Sequence, residues 1–138
     1  MSTTLPTTPS ALLRTAMADL KSVEADPRYY VNMGVWHEMS PRTGLCHVCL
    51  AGAVMAKSLN FSPTEDIQPA GFNDTVYAQL HALNALRLGE INFALHHLDI
   101  EPPKALPVRI GVSSYEQNRL QFHADMEALA TLLQEHGL

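Results

Sequence analysis

Nine prolines in 138 residues limit where regular secondary structure can form in this chain. Proline lacks a backbone N–H and keeps the residue before it out of the α region, so helices usually end before it or begin with it. Pro9 follows Thr8 at the start of a helical pattern, and Pro27 ends that pattern. Two prolines lie in residues 60–72 and three in residues 101–112. The helices are therefore expected between these breaks.

Apolar residues recur at helical spacing in each interval, which predicts four or five helices. The first helix runs from Pro9 to about Ala25, with Thr8 as its N-cap. The others are predicted from about Cys46 to Leu59, from a cap at Asn73 or Asp74 to a break at Gly89, from Ile91 to Leu98, and from a cap at Ser113 or Ser114 to a stop at Gly137.

The remaining segments indicate little sheet. Residues 29–36 contain tyrosines, valines and a tryptophan, which favour extended structure, and residues 108–112 are a second candidate for a short strand. The predicted fold is mainly α: a single domain of four to five helices, residues 9–138, with at most a short β element. Residues 1–8 are rich in threonine and proline and are predicted to be a flexible tail.

Composition excludes several classes of function. Apolar residues make up 46% and charged residues 17%, as in globular proteins, and the net charge is −5. A chain with no basic patch is not expected to bind nucleic acid. The longest nearly uncharged apolar stretch, residues 45–56, is too short to span a membrane. With two cysteines and no pattern of a signal peptide, we expect a cytoplasmic protein.

The stretch CHVCLAGAVMAKSL, residues 46–59, contains the only Cys-x-x-Cys pair. Such a pair supplies two thiolates, whereas a structural zinc site needs four ligands. His37 lies nine residues upstream and could be the third ligand, with a distant histidine as the fourth. One hypothesis is therefore a zinc-binding module or metal-dependent enzyme that uses His37, Cys46 and Cys49.

Two other interpretations concern the same stretch. A redox pair would sit at a helix N-terminus in an alternating strand and helix pattern, and the chain lacks that pattern. On the predicted second helix, Cys46, Cys49, Ala53 and Ala56 share one stripe with Gly52 at its edge. Cysteine is among the most buried residue types, and small side chains let another element approach closely. This predicts a packing face that needs no cofactor.

The segment from Trp36-His37 through Cys46-x-Val48-Cys49-x-Ala51-Gly52-Ala53-Val54-Met55-Ala56 resembles a motif in small uncharacterised proteins encoded by bacteriophages and prophages. The resemblance covers about twenty residues. It implies a phage-derived accessory protein in the host cytoplasm. No activity is known for that family, so the resemblance assigns no catalytic residue.

A binding site is predicted in the irregular segment before the cysteines. Trp36 is the only tryptophan, His37 and Glu38 follow it, and Tyr30 lies in the same aromatic segment. Loops that carry such side chains often bind ligands. The alternative is that Trp36 fills the core and His37 bonds to a backbone carbonyl.

The last helix, residues 114–136, has a wide apolar face formed by Phe122, Met126, Leu129 and Leu133 with Leu120 and Leu132 beside them. Such a face predicts either a homodimer through this helix or burial in the monomer.

No catalytic motif is complete. The sequence therefore predicts a non-enzymatic interaction or regulatory protein, phage-encoded, that binds a protein partner and needs no cofactor.

Overall fold

Five helices and one three-stranded sheet form the described part of the chain. The structure, a computed structural model, describes residues 4–101, 106 and 111–138. The elements are α1 (Pro9–Glu24), β1 (Tyr29–Val31), β2 (His37–Met39), β3 (Cys46–Val48), α2 (Leu50–Ala56), α3 (Asp74–Arg87), α4 (Ile91–His97) and α5 (Arg119–Glu135), with a 3-10 turn at Pro69–Gly71. This confirms a mainly α fold with a short β element.

The first and last helices pack against each other. The apolar stripe of α1, which includes Leu13 and Leu20, is buried, and so are Phe122, Met126 and Leu129 of α5. Full burial of such side chains stabilises the fold by about 1.5–3 kcal/mol each. The same stripe of α5 that predicted either a dimer or a core helix thus lies inside the monomer, while Leu120 is 74% exposed.

Hydrogen bonds join the start of α1 to the end of the described chain, just after α5. The N–H and hydroxyl of Ser10 both donate to the carbonyl oxygen of Leu138, at 3.2 and 2.9 Å. Beside it, the Arg14 guanidinium donates to the Glu127 carboxylate at 2.7 Å. These contacts fix the start of α1 against the end of α5.

The sheet has the order β1-β3-β2. Strand β1 is parallel to β3, with Tyr30 opposite His47, and β2 is antiparallel to β3, with Glu38 opposite His47. Strand β3 leads directly into α2, and all seven residues of α2 are buried. The centre of the molecule is therefore one continuous segment, residues 46–56, that changes from strand to helix.

The predicted second helix, Cys46 to Leu59, is wrong at both ends. Cys46 and Val48 are buried in β3 while His47 between them is partly exposed, which is the two-residue period of a strand. Cys49 is the N-cap of α2, and its sulfur accepts from the Gly52 N–H at 3.4 Å. Cys46 and Cys49 therefore do not share a helix stripe.

The predicted start of the last helix is also wrong. Asn118, not Ser113 or Ser114, is the N-cap of α5, and its side chain accepts from the Gln121 N–H at 3.0 Å. The Ser113 N–H instead donates to the Asp125 carboxylate at 2.7 Å, because the chain before α5 folds back along that helix.

Other boundaries are confirmed. Thr8 caps α1 and Asn73 caps α3, each through a side-chain oxygen that accepts from a first-turn N–H. Gly89 and Gly137 follow α3 and α5 with φ of 76° and 74°. These left-handed conformations favour glycine and end each helix.

Part of the segment predicted as a flexible tail packs on the domain. Leu5 is buried, and the carbonyl of Pro6 accepts from Gln79 Nε2 at 2.7 Å.

Residues 1–3 lie outside the described residues, as does most of the predicted strand at 108–112. Within the described ranges, no helix has the length and apolar character needed to cross a membrane.

Candidate functional site

The strand-to-helix segment places both cysteines inside the protein. Cys46 is in β3 and Cys49 is at the turn into α2, and neither side chain is accessible to solvent. Both are free thiols. Burial raises the pKa of the Cys46 thiol to about 11 and also raises the pKa of Cys49. The thiol forms therefore dominate at neutral pH, and the thiolate that would attack a disulfide is disfavoured.

His37 lies against Cys46. The Cys46 sulfur is 3.7 Å from His37 Nδ1 and 3.8 Å from Nε2, so it faces the ring between the two nitrogens. Nδ1 is 2.7 Å from the carbonyl oxygen of Glu65 and donates to it, because a carbonyl oxygen can only accept. His37 is fully buried. The backbone contact predicted as the alternative for His37 is therefore present.

Two of the three predicted metal ligands contact each other, and the third has other partners. His37 and Cys46 touch, but the Cys49 sulfur is bonded to the Gly52 N–H and lies 4.0 Å from the Trp36 carbonyl oxygen. Among the described residues, no three histidine, cysteine, aspartate or glutamate side chains form a group that could hold a metal ion. The zinc hypothesis thus has two adjacent ligands in its favour and stays a prediction.

The predicted binding residues are divided between two sides of the sheet. His37 points into the core, whereas Tyr30 and Glu38 are exposed on the outer face, where both flank His47. The Tyr30 and His47 rings are 4.9 Å apart. The His47 nitrogens also contact Asn32 Nδ2 and the Thr43 hydroxyl, each at 3.2 Å. Three side chains, those of Tyr30, Asn32 and Thr43, thus contact the His47 ring.

Trp36 belongs to a different surface, which was not predicted from the sequence. Its ring is 5.3 Å from His81 of α3, and His81 in turn contacts Tyr77 at 4.4 Å and stacks on His97 of α4 at 5.3 Å. Phe93 completes the row, 4.7 Å from His97. We call these five residues, Trp36, Tyr77, His81, Phe93 and His97, the aromatic–histidine surface.

The aromatic–histidine surface is partly open to solvent. Phe93 is 54% exposed and Tyr77 is 38% exposed, while the two imidazoles and the indole are half-buried between them. Burial, together with neighbouring His81 and His96, lowers the pKa of His97. The neutral form of the His97 imidazole is therefore favoured at neutral pH. A signal was present in the sequence, because Tyr77 and His81, like Phe93 and His97, are four residues apart and share a helix face.

A third polar cluster joins α1 to α5. One carboxylate oxygen of Glu24 accepts from the Tyr115 hydroxyl at 2.6 Å and contacts His123 Nε2 at 2.9 Å. Burial and the Glu24 carboxylate raise the pKa of Tyr115. The other imidazole nitrogen of His123 is buried and has no described hydrogen-bond partner. This cluster ties two helices together and offers no exposed nucleophile.

The chain matches no protein-family model, no curated protein and no solved structure. A functional conclusion must therefore rest on the side chains themselves. Of the clusters above, the aromatic–histidine surface combines exposed rings with fixed positions, whereas the cysteine and Glu24 clusters are largely buried.

Proposed function

We propose that this protein is a non-enzymatic accessory protein, encoded by a phage and acting in the host cytoplasm, that binds a protein partner through the aromatic–histidine surface. The observation that carries the proposal is the unbroken row of rings from Trp36 to Phe93, with centroid distances between 4.4 and 5.3 Å. The resemblance of residues 36–56 to phage-encoded proteins supports the origin.

Physical chemistry favours protein binding at such a surface. Aromatic side chains are enriched at protein interfaces, where a few of them supply most of the affinity. Tyr77 and Phe93 lie on two different helices, and ring contacts with His81 and His97 restrict their rotamers before binding. Pre-ordered side chains lose less conformational entropy in a complex. The expected partner surface is apolar and weakly charged.

The first experiment is site-specific photocrosslinking in the host cell. A photoreactive phenylalanine analogue replaces Phe93, and in a matched control it replaces Leu120, which is more exposed but lies on α5. We expect a discrete crosslinked protein at position 93 and not at position 120. The crosslinked partner is then purified and its affinity is measured by calorimetry.

Substitution of the same residue completes the test. Phe93→Ser should weaken binding of the purified partner by about tenfold or more, the usual effect of losing an aromatic anchor. Leu120→Ser should leave the affinity unchanged. Equal crosslinking at both positions, or an unchanged dissociation constant for Phe93→Ser in a folded protein, would refute the proposal.

The contact between His37 and Cys46 keeps a zinc-binding module, or a metal-dependent enzyme, as the second candidate. Binding of zinc to such a site contributes directly to folding free energy. Native mass spectrometry and elemental analysis of protein purified without an affinity metal decide between the two. Stoichiometric zinc that is lost in Cys46→Ala would support the second candidate, and metal-free folded protein would exclude it.

The same native mass spectrum tests self-association. A dimer through residues 114–136 would have to use Leu120 and Leu132, because the main stripe of α5 is buried against α1. We therefore expect a monomer, or a dimer that Leu120→Ser dissociates.

A further inference from the structure

We propose that the outer edge of β1 binds an extended, basic peptide segment of a partner protein as an additional strand. This inference goes beyond the proposed function, because it uses β1 and the groove beside it and none of the residues of the aromatic–histidine surface. It rests on unpaired backbone groups, on a groove along them and on the charge of that groove.

The backbone of β1 bonds to β3 through alternate residues. The Arg28 carbonyl accepts from the first N–H of β3 at 2.9 Å, and the Asn32 N–H donates to the last carbonyl of β3 at 2.8 Å. Neighbouring residues of a strand direct their backbone groups to opposite edges. The backbone N–H and carbonyl of Tyr30 therefore face β3, and the backbone groups of Tyr29 and Val31 face the outer edge.

Three of these outer groups are available for a new strand. The Tyr29 N–H donates to the Asp26 carbonyl at 3.1 Å, within the turn after α1. The carbonyl of Tyr29 and both backbone groups of Val31 have no hydrogen bond to any other described residue. An antiparallel peptide residue opposite Val31 could exchange two hydrogen bonds with it, and the peptide residue two positions further along could donate a third to the Tyr29 carbonyl.

The other edge of the sheet is covered. The Ile67 N–H donates to the His37 carbonyl at 2.8 Å, and the Asp66 carboxylate accepts from the Met39 N–H at 3.1 Å. Proteins usually protect edge strands from pairing with other chains, and here residues 66–67 protect β2. The edge of β1 has no such cover among the described residues.

A groove follows the exposed edge of β1. It has a volume of about 430 Å³ and lies between β1 and residues Tyr115, Glu116 and Arg119, with Val23 and Glu24 of α1 completing the lining. Three or four extended residues span about 10–13 Å, a length comparable to the strand itself. The groove therefore offers space for a short strand and its side chains.

The charge of the groove indicates a basic peptide. Two acidic residues, Glu24 and Glu116, line it with one basic residue, Arg119, in a chain whose net charge is −5. Because the Glu24 carboxylate already contacts Tyr115 and His123, the exposed Glu116 is the acidic group open to a ligand. The Tyr30 ring, 55% exposed at the same edge, adds a face on which a lysine or arginine can rest. Alternating basic and β-branched side chains would satisfy both the groove and the strand geometry.

The test uses a synthetic heptapeptide that alternates lysine and valine between threonine ends. Two control peptides replace its lysines with glutamates or its central residue with proline. Binding is followed by amide chemical shifts of the full-length protein. We expect only the basic, unbroken peptide to bind, with the largest shift at Val31. Binding of the proline peptide with equal affinity would overturn the proposal, because main-chain pairing would then be unnecessary.

Matched variants test the same edge from the protein side. Val31→Pro removes the outward N–H without removing a bond to β3, whereas Val31→Ala keeps it. We expect Val31→Pro to abolish binding and Val31→Ala to retain it. If Val31→Pro does not fold, Glu116→Lys decides: affinity for the basic peptide should fall at least about threefold, the scale of an exposed ion pair. Unchanged affinity would overturn the proposal, while photocrosslinking at Phe93 tests the other surface separately.

Discussion

The carbonyl oxygen of Trp36 occupies the space that a side chain on Gly52 would need. A Cβ on Gly52 would overlap that oxygen and would lie 2.9 Å from the carbonyl carbon of Trp36. The same oxygen is 3.4 Å from the Cys49 N–H, which donates to it. The segment before β2 and the first turn of α2 thus meet backbone to backbone, and only glycine permits this contact.

Gly52→Ala should therefore destabilise the protein strongly. Alanine would gain up to about 1 kcal/mol in helix propensity, but the obstructing atom belongs to the backbone and cannot rotate away. We expect a net loss of about 2 kcal/mol or more in the free energy of unfolding, measured by urea titration. Gly71→Ala is the control, because a Cβ there meets no atom within 4 Å. Similar stability of the two variants would contradict the close contact.

Serine should be tolerated at Cys49 and not at Cys46. At Cys49 a hydroxyl can accept from the Gly52 N–H, as the sulfur does, and serine is a preferred N-cap residue. At Cys46 a hydroxyl would be buried beside His37 in place of an apolar thiol, at a cost of about 1–3 kcal/mol. Thermal unfolding of both variants measures the difference. The interpretation fails if Cys49→Ser is the less stable of the two.

Acid should weaken the fold through His97. Burial and the neighbouring His81 and His96 lower its pKa below the ordinary 6.5, so the folded state resists protonation more than the unfolded state does. Its contribution to stability is present above pH 6.5 and is lost as the pH falls through the lowered folded pKa. Urea titrations at pH 7.5 and 5.0 should show a smaller loss of stability for His97→Gln than for the unsubstituted protein. An equal loss in both would show that another group carries the acid sensitivity.

Removal of one hydroxyl should loosen the contact between α1 and α5. Tyr115→Phe deletes the donor to Glu24, and hydrogen bonds to charged groups contribute about 1.5–3 kcal/mol. We expect the free energy of unfolding, measured by urea titration, to fall by about 1.5 kcal/mol, the low end of that range, because Tyr115 is only half-buried. Tyr77→Phe, at an exposed position on α3, should change stability by less than about 0.5 kcal/mol. Equal effects would mean that the Glu24 contact adds nothing.

Local signals predicted most helix boundaries. Thr8 and Asn73 were identifiable as N-caps because the side chain of a cap bonds to an N–H only three residues away. Gly89 and Gly137 were identifiable as helix ends because glycine itself permits the left-handed backbone conformation found there. The segment around Cys46 was different. The alternation of buried and partly exposed residues in β3 covers only three residues, and the apolar run that follows it gives no period, so a short strand and a longer helix could not be told apart.

The aromatic–histidine surface shows a second limit. The spacing of Tyr77 and His81 is visible in the sequence, and so is that of Phe93 and His97, but the two pairs meet only because α3 and α4 pack side by side. Likewise, the burial of His37 depends on the carbonyl of Glu65, 28 residues away. Contacts between distant segments depend on packing, which local sequence patterns do not reveal.

The pairing of α1 with α5 has a consequence for synthesis of the chain. Residues 119–135 supply a large part of the packing on α1, beside α2, β1 and α3, and Ser10 bonds to residue 138. A nascent chain that has emerged as far as α4 therefore lacks the part of this packing that α5 supplies until the ribosome has made the rest. Exposed apolar surface of this kind is what chaperones and proteases recognise in general, and the contact between α1 and α5 can form only after α5 has been released.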